Sequence, residues 1–244
     1  TPTSIQALAI KEITYFTSNQ KVNDVFILKG YAGTGKTTLI SSVINWLPNI
    51  GRNSVLIAPT GRAAKVLSSY SKKPASTIHK QIYYQGNKNG KIHFTLQKNK
   101  YSNTIFVVDE ASMIGASGSI GGSFTSREKT LLDDLFDYVF SGNNCKLILL
   151  GDTAQLPPVG ETDSPALQQD YISSRYPVKV WSKELKEVTR QSESSGILFN
   201  ATLLRKILLQ NEIFTPNFSL NNFKDIRRLN GYEIEEELSS SYSN

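Results

Sequence analysis

The chain is short of cysteine, of histidine and of long apolar runs. A single cysteine, Cys145, is present among 244 residues. No disulfide can form within the chain, which fits a reducing cytoplasm. Cys145 sits in the apolar run 145–150 and is expected to be a buried thiol. The apolar runs are of strand length only, which argues against a membrane span. The opening TPTSIQALAIKEITYF carries Lys11 and Glu12, so it is not a signal peptide either. There is no initiator methionine, and the start is expected to be processed or trimmed. The two histidines, His79 and His93, suggest no metal cluster. No internal repeat is visible.

A 39% hydrophobic content suffices for a globular core, as one large domain or one domain with a small appendage. The net charge of +6 favours a polyanionic partner, though only weakly by itself.

Strand and helix patterns alternate. Helical spacing of Ile5, Leu8, Ala9, Ile13 and Phe16 opens the chain, and Val25–Leu28 follows as a buried strand ending at Gly30. Thr37–Leu47 reads as helix, Ser54–Ala58 as strand, Gly61–Tyr70 as helix and Thr104–Val108 as strand. Arg127–Phe140 reads as an amphipathic helix and Lys146–Leu150 as strand. Such alternation predicts an α/β fold, a parallel sheet flanked by helices, with ligands beyond the carboxyl ends of the strands. Ile82–Leu96, with apolar and aromatic residues around GNKNG, reads as a small hairpin insertion spanning about 82–98. Ala116–Thr125 is rich in Gly and Ser and reads as a loop. Beyond Arg190 the alternation fades. Ile197–Leu209 looks helical, Asn211–Asn222 looks like loop, and EIEEEL opens a last helix.

GYAGTGKT, residues Gly30, Tyr31, Ala32, Gly33, Thr34, Gly35, Lys36 and Thr37, fits the phosphate-binding loop at every fixed position, with Thr38 following. It stands between a strand and a helix, as that motif requires. Glycines let backbone N–H groups turn inward on phosphate oxygens, and the helix start adds positive dipole. Lys36 can reach the β- and γ-phosphates, and the Thr37 hydroxyl can ligate Mg²⁺. In IFVVDEAS, Asp109 ends a strand where it can hold Mg²⁺, and Glu110 can polarise an attacking water. The N-K-x-D pattern that reads guanine is absent, since Asn87-Lys88 is followed by Asn89-Gly90, so ATP is expected over GTP.

These motifs alone indicate a nucleotide hydrolase. Four further segments, in order, narrow the reading: APTGRAAK (58–65), STIHK (76–80), GDTAQLPPVG (151–160) and ELKEVTRQ (184–191). With them the chain resembles superfamily 1 helicases that move 5′ to 3′, in the branch of the exodeoxyribonuclease V alpha subunit (RecD), the phage Dda helicase and the Pif1 helicases. The resemblance covers residues 1 to 191 and implies a P-loop NTPase (RecA-like) motor domain there.

The resemblance also assigns roles. Gln6 would read adenine. Pro59, Thr60, Arg62 and Lys65, with Thr77 and His79, would contact single-stranded DNA. Gln155 would sense the γ-phosphate while Asp152 fixes the loop, and Arg190 would stabilise charge during phosphoryl transfer. The hairpin would split the duplex, with Tyr83, Tyr84 and Phe94 either stacking on a base or burying the hairpin against the domain. A second motor domain has no match after Gln191, so 192–244 is expected to be a helical connector toward it. The fragment alone is then not expected to unwind duplex. The implied partners are single-stranded DNA and duplex junctions, with nuclease or repair partners left open; the protein is expected to be monomeric. An ATP-dependent switch or assembly ATPase acting on DNA without translocation is the alternative.

Overall fold

The computed structural model describes residues 2–19, 23–88, 91–116, 129–187, 195–208, 215, 217–220 and 223–242. Contacts divide the chain into two units, Thr1–Val188 and Thr189–Asn244.

The first unit is built on six parallel strands: β1 (Asp24–Gly30), β2 (Asn53–Ala58), β3 (Ala75–Thr77), β6 (Thr104–Val108), β7 (Lys146–Gly151) and β8 (Lys179–Leu185), in the order β3-β2-β6-β7-β1-β8. Between them run helices α1 (Ser4–Ser18, before β1), α2 (Lys36–Trp46), α3 (Gly61–Ser71), α4 (Ile78–Ile82), α5 (Leu131–Phe140) and α6 (Gln169–Arg175).

The continuous apolar strands follow from burial on both faces. Side chains alternate across a strand. Val25 and Ile27 of β1, Phe106 and Val108 of β6, and Leu147 and Leu149 of β7 therefore enter one core with α4, α5 and α6. Phe26, Leu28, Ile105, Val107, Ile148 and Leu150 enter the other with α1, α2 and α3. The parallel strands place all their carboxyl ends along one edge, which is where the loops carrying Lys36, Asp109 and Asp152 lie.

Two strands carry no apolar run that could announce them. β3 is only three residues long, and β8 at the opposite edge interleaves Lys179, Ser182 and Lys183 with Val180 and Trp181, mostly half-buried. Helix α5 starts at Leu131, later than Arg127, because Thr130 and Asp133 form a reciprocal capping box there. Cys145 is buried, as expected. The hairpin forms from β4 (Tyr83–Lys88) and β5 (Lys91–Leu96), antiparallel and separate from the main sheet. Asn89 and Gly90, and all but Ala116 of the expected loop Ala116–Thr125, lie outside the described residues.

The second unit contains α7 (Gly196–Leu208) and α8 (Glu233–Tyr242). Asp225 accepts from the Ser195 hydroxyl and the Gly196 N–H, tying the start of α7 to a distant loop. No helix among the described residues is long and apolar enough to cross a membrane.

Candidate nucleotide and nucleic-acid site

The loop from Gly30 to Thr37 leaves β1 and enters α2. Its compactness depends on Gly30. A Cβ built there would meet Thr34 Oγ1 at 2.7 Å and the Leu185 carbonyl oxygen at 2.9 Å, below any real Cβ contact. Gly35, the residue before α2, has φ 83°, a left-handed conformation that suits glycine. No side chain of Gly35 caps α2, and the start of a helix is where backbone N–H groups and the helix dipole favour an anion. The Lys36 ammonium folds back onto the loop and donates to the carbonyl oxygens of Gly30 and Tyr31.

Side chains from two neighbouring elements, and one of its own, hold this loop. The Gln6 carboxamide of α1 donates to the Thr34 carbonyl oxygen at 2.9 Å, while its oxygen accepts from the Thr3 N–H at 3.0 Å. Gln6 thus stands beside the loop, but both ends of its amide are engaged in capping α1 and bracing Thr34. Asp152, at the end of β7 and buried, accepts from the Ala32 N–H at 3.0 Å through one oxygen and from the Ala154 N–H at 2.8 Å through the other. The Thr34 hydroxyl donates to the Tyr31 carbonyl oxygen.

Asp109 and Glu110 follow β6, two strands from β1 in the sheet. Asp109 is 7% exposed. Burial pushes its carboxyl above the usual carboxylate range and the neighbouring Glu110 charge adds to that, against a hydrogen bond from the Glu110 N–H and the positive charge of Lys36. A buried carboxylate is a hard oxygen donor of the kind Mg²⁺ takes, and the Thr37 hydroxyl is another of that kind. Glu110 takes a left-handed φ of 54°, uncommon for a non-glycine residue, as the chain turns into the short helix Ala111–Met113. From that turn the buried Ser112 hydroxyl donates to Gln155 Oε1 at 2.9 Å.

Thr60, Arg62, Lys65 and Thr77, expected at nucleic acid, line two grooves on either side of the start of α3. Thr60 and Arg62 line an open groove of about 750 Å³ together with Val66, Asp109, Glu110, Met113 and Gln155. Lys65 and Thr77 line a different groove, of about 550 Å³, with Ser76, Ser68 and Lys80. Thr60 and Thr77 also cap helices: their hydroxyls accept from the N–H groups of Ala63 and Lys80. Pro59 is half-buried beside Thr60. His79 lies against the aromatic rings of Tyr83 and Phe94, at 5.6 and 6.4 Å between centroids. Tyr83 is buried and donates its hydroxyl hydrogen to Asp134 at 2.7 Å, so it anchors the hairpin; Tyr84 is 67% exposed. Arg190 lies outside the described residues.

Lys80 and Ser112 were not singled out as site residues on the sequence. Both stand inside quoted segments, STIHK and IFVVDEAS, but only the folded chain sets them in the second groove and against Gln155.

A family profile described as "AAA domain" matches residues 16–161, more than half of the chain. The stretch runs from α1 through the phosphate loop, Asp109-Glu110 and the Gln155 loop. The ATP-dependent RecD2 DNA helicase of Deinococcus radiodurans is 34% identical over 133 residues, 54% of this chain and 16% of that protein. The ATP-dependent DNA helicase dda of Enterobacteria phage T4 is 30% identical over 174 residues, covering 68% of this chain and 34% of its own. The Pif1 helicase of Candida albicans superposes with a TM-score of 0.53 at 18% identity, over 99% of this chain and 54% of that one. This chain belongs to the AAA-domain family, and in sequence it is similar to the RecD2 and dda helicases. Its fold is that of a P-loop NTPase. The chain spans less than half the length of these curated relatives.

Proposed function

We propose that this motor domain binds and hydrolyses ATP with Mg²⁺, and that in the intact protein this drives 5′-to-3′ movement on single-stranded DNA and unwinding of duplex junctions. The observation that carries the reading is one edge of one sheet. There Asp152 is bonded to the phosphate loop ending at Lys36, and Asp109 and Glu110 follow a neighbouring strand.

Each residue has a task in this reading. The N–H groups at the start of α2 and the Lys36 ammonium, once released from Gly30 and Tyr31, bind the triphosphate. Thr37 and Asp109 hold Mg²⁺, which neutralises phosphate charge when bound. Glu110 accepts the proton of the attacking water. Gln155 contacts the γ-phosphate, and Arg190 adds positive charge during transfer. The groove of Lys65, Ser76, Thr77 and Lys80 takes DNA phosphates, which is phosphate positioning without base readout.

Residues 192–244 connect to a second motor domain, the protein acts as a monomer in the cytoplasm, and the fragment alone hydrolyses slowly without unwinding. The test is the ATPase rate of the intact protein with and without single-stranded DNA. Stimulation by DNA is expected. A rate indifferent to DNA supports an assembly switch instead, and absence of any ATP binding removes the nucleotide reading altogether.

A further inference from the structure

Gln155 is exposed, yet the oxygen of its carboxamide is held by the fully buried Ser112 hydroxyl at 2.9 Å. Ser112 is itself held from behind, because its carbonyl oxygen accepts from the Ser164 hydroxyl at 3.0 Å. It lies two residues after Glu110, on the short helix that the left-handed Glu110 conformation starts. On the other side, the Gln155 N–H donates to the Asp152 carbonyl oxygen, and the Asp152 carboxylate holds the Ala32 N–H. The carboxyl ends of β6, β7 and β1, three adjacent strands, are thus joined through Ser112, Gln155 and Asp152.

A carboxamide has a donating end and an accepting end that differ little in shape. Phosphate oxygens only accept. A glutamine free to turn over therefore presents a repelling oxygen to phosphate in one of its two orientations. With Oε1 engaged by the Ser112 hydroxyl, the NH₂ end is the one left to donate to a phosphate oxygen, and Gln155 lines a groove shared with Glu110, Asp109 and Arg62.

We propose that Ser112 is a positioning residue that sets which end of the Gln155 amide meets the nucleotide, and so gives this site its preference for a triphosphate over a diphosphate. The inference rests on the proposed contact of Gln155 with the γ-phosphate. Ser112 itself touches no substrate.

The experiment measures dissociation constants of the wild-type chain, Ser112→Ala, Ser112→Thr, Gln155→Ala and the double variant for a non-hydrolysable ATP analogue and for ADP, each with Mg²⁺. A hydrogen bond to a charged group suggests that Ser112→Ala binds the ATP analogue about tenfold more weakly. ADP binding stays as in the wild type, and Ser112→Thr, which keeps the hydroxyl, restores the preference. The double variant should be no worse than Gln155→Ala, since both remove one interaction. Equal loss for both nucleotides, or no loss for either, overturns the proposal, as does additivity in the double variant. If Gln155→Ala by itself leaves the ATP analogue unaffected, the contact of Gln155 with the γ-phosphate is what fails. A wild-type chain that binds neither nucleotide fails the nucleotide reading before Ser112 is tested.

Discussion

The carboxylate of Asp152 accepts the backbone N–H of Ala32 at 3.0 Å, across 120 residues of sequence. The phosphate loop is therefore braced from the end of β7 as well as by its own glycines. Asp152→Ala removes the acceptor of two N–H groups, Ala32 and Ala154. We expect it to lower stability by about 1–3 kcal/mol, the range for hydrogen bonds to a charged group, and to weaken ATP binding. Asp152→Asn, with one acceptor oxygen left, should fall between. Thermal unfolding together with nucleotide titration checks this, and unchanged values in Asp152→Ala count against the brace.

Gly30→Ala is expected to damage the loop more than its size suggests. The added methyl carbon would stand at 2.9 Å from the Leu185 carbonyl oxygen, and backbone of the sheet does not yield cheaply. Overpacking of this kind costs about 1–3 kcal/mol. A lower melting temperature with weakened ATP-analogue binding is the expected outcome; full binding at normal stability contradicts the close packing.

Lys36→Ala and Glu110→Gln should separate binding from turnover. Lys36→Ala is expected to lose hydrolysis through loss of the phosphate contact. Glu110→Gln should keep ATP-analogue binding and slow hydrolysis by a factor of about 10²–10⁴, the usual contribution of a general base. Undiminished turnover in Glu110→Gln rules it out as the base.

The two grooves make different demands on nucleic acid. Lys65→Ala or Lys80→Ala should weaken single-stranded DNA binding at all sequences and shallow its logarithmic salt dependence by about 0.7 per lysine. His79→Ala should leave the salt slope alone, because His79 lies among Tyr83 and Phe94 and its expected effect is on the hairpin. A salt-slope change from His79→Ala equal to that of the lysines would instead assign it a phosphate contact.

Asp133 joins α5 to α6. Arg175 donates to both its oxygens at 2.7 Å, and the Tyr176 hydroxyl and Thr130 N–H donate to it as well. Burial alone would raise its carboxyl, but these bonds, led by Arg175, hold it well below the usual carboxylate range. A depressed carboxyl contributes stability that is fully present above its unfolded value, about 3.9, and is lost as pH falls through the folded value. Asp133→Asn should cost about 1–3 kcal/mol at neutral pH. It should also flatten the loss of stability below about pH 4. Acid titration of the melting temperature in both proteins tests it, and parallel curves contradict it.

Much of this was legible in the chain because it is local. A phosphate loop is a run of consecutive backbone positions between a strand and a helix, and β1, β6 and β7 are continuous apolar runs because both their faces are covered. The strand β8 was not legible: at the edge, half-buried, it needs no such run. Nor was the division of the basic residues. Arg62 and Lys65 are three apart on α3, yet one lines the groove of Glu110 and the other that of Thr77.

By itself the amino-acid order determined the alternating α/β plan, the curl of Gly30–Thr37 and the acids that end β6, since each depends on residues adjacent in the chain. The tertiary structure alone decided that Asp152 would reach Ala32, that Ser112 would meet Gln155 across 43 residues, and that His79 would turn to the hairpin. The reason is physical. Hydrogen bonds and ring contacts are made at fixed short range, and which distant residues come within that range is set by the order and register of strands in the sheet, which no local pattern of residues specifies.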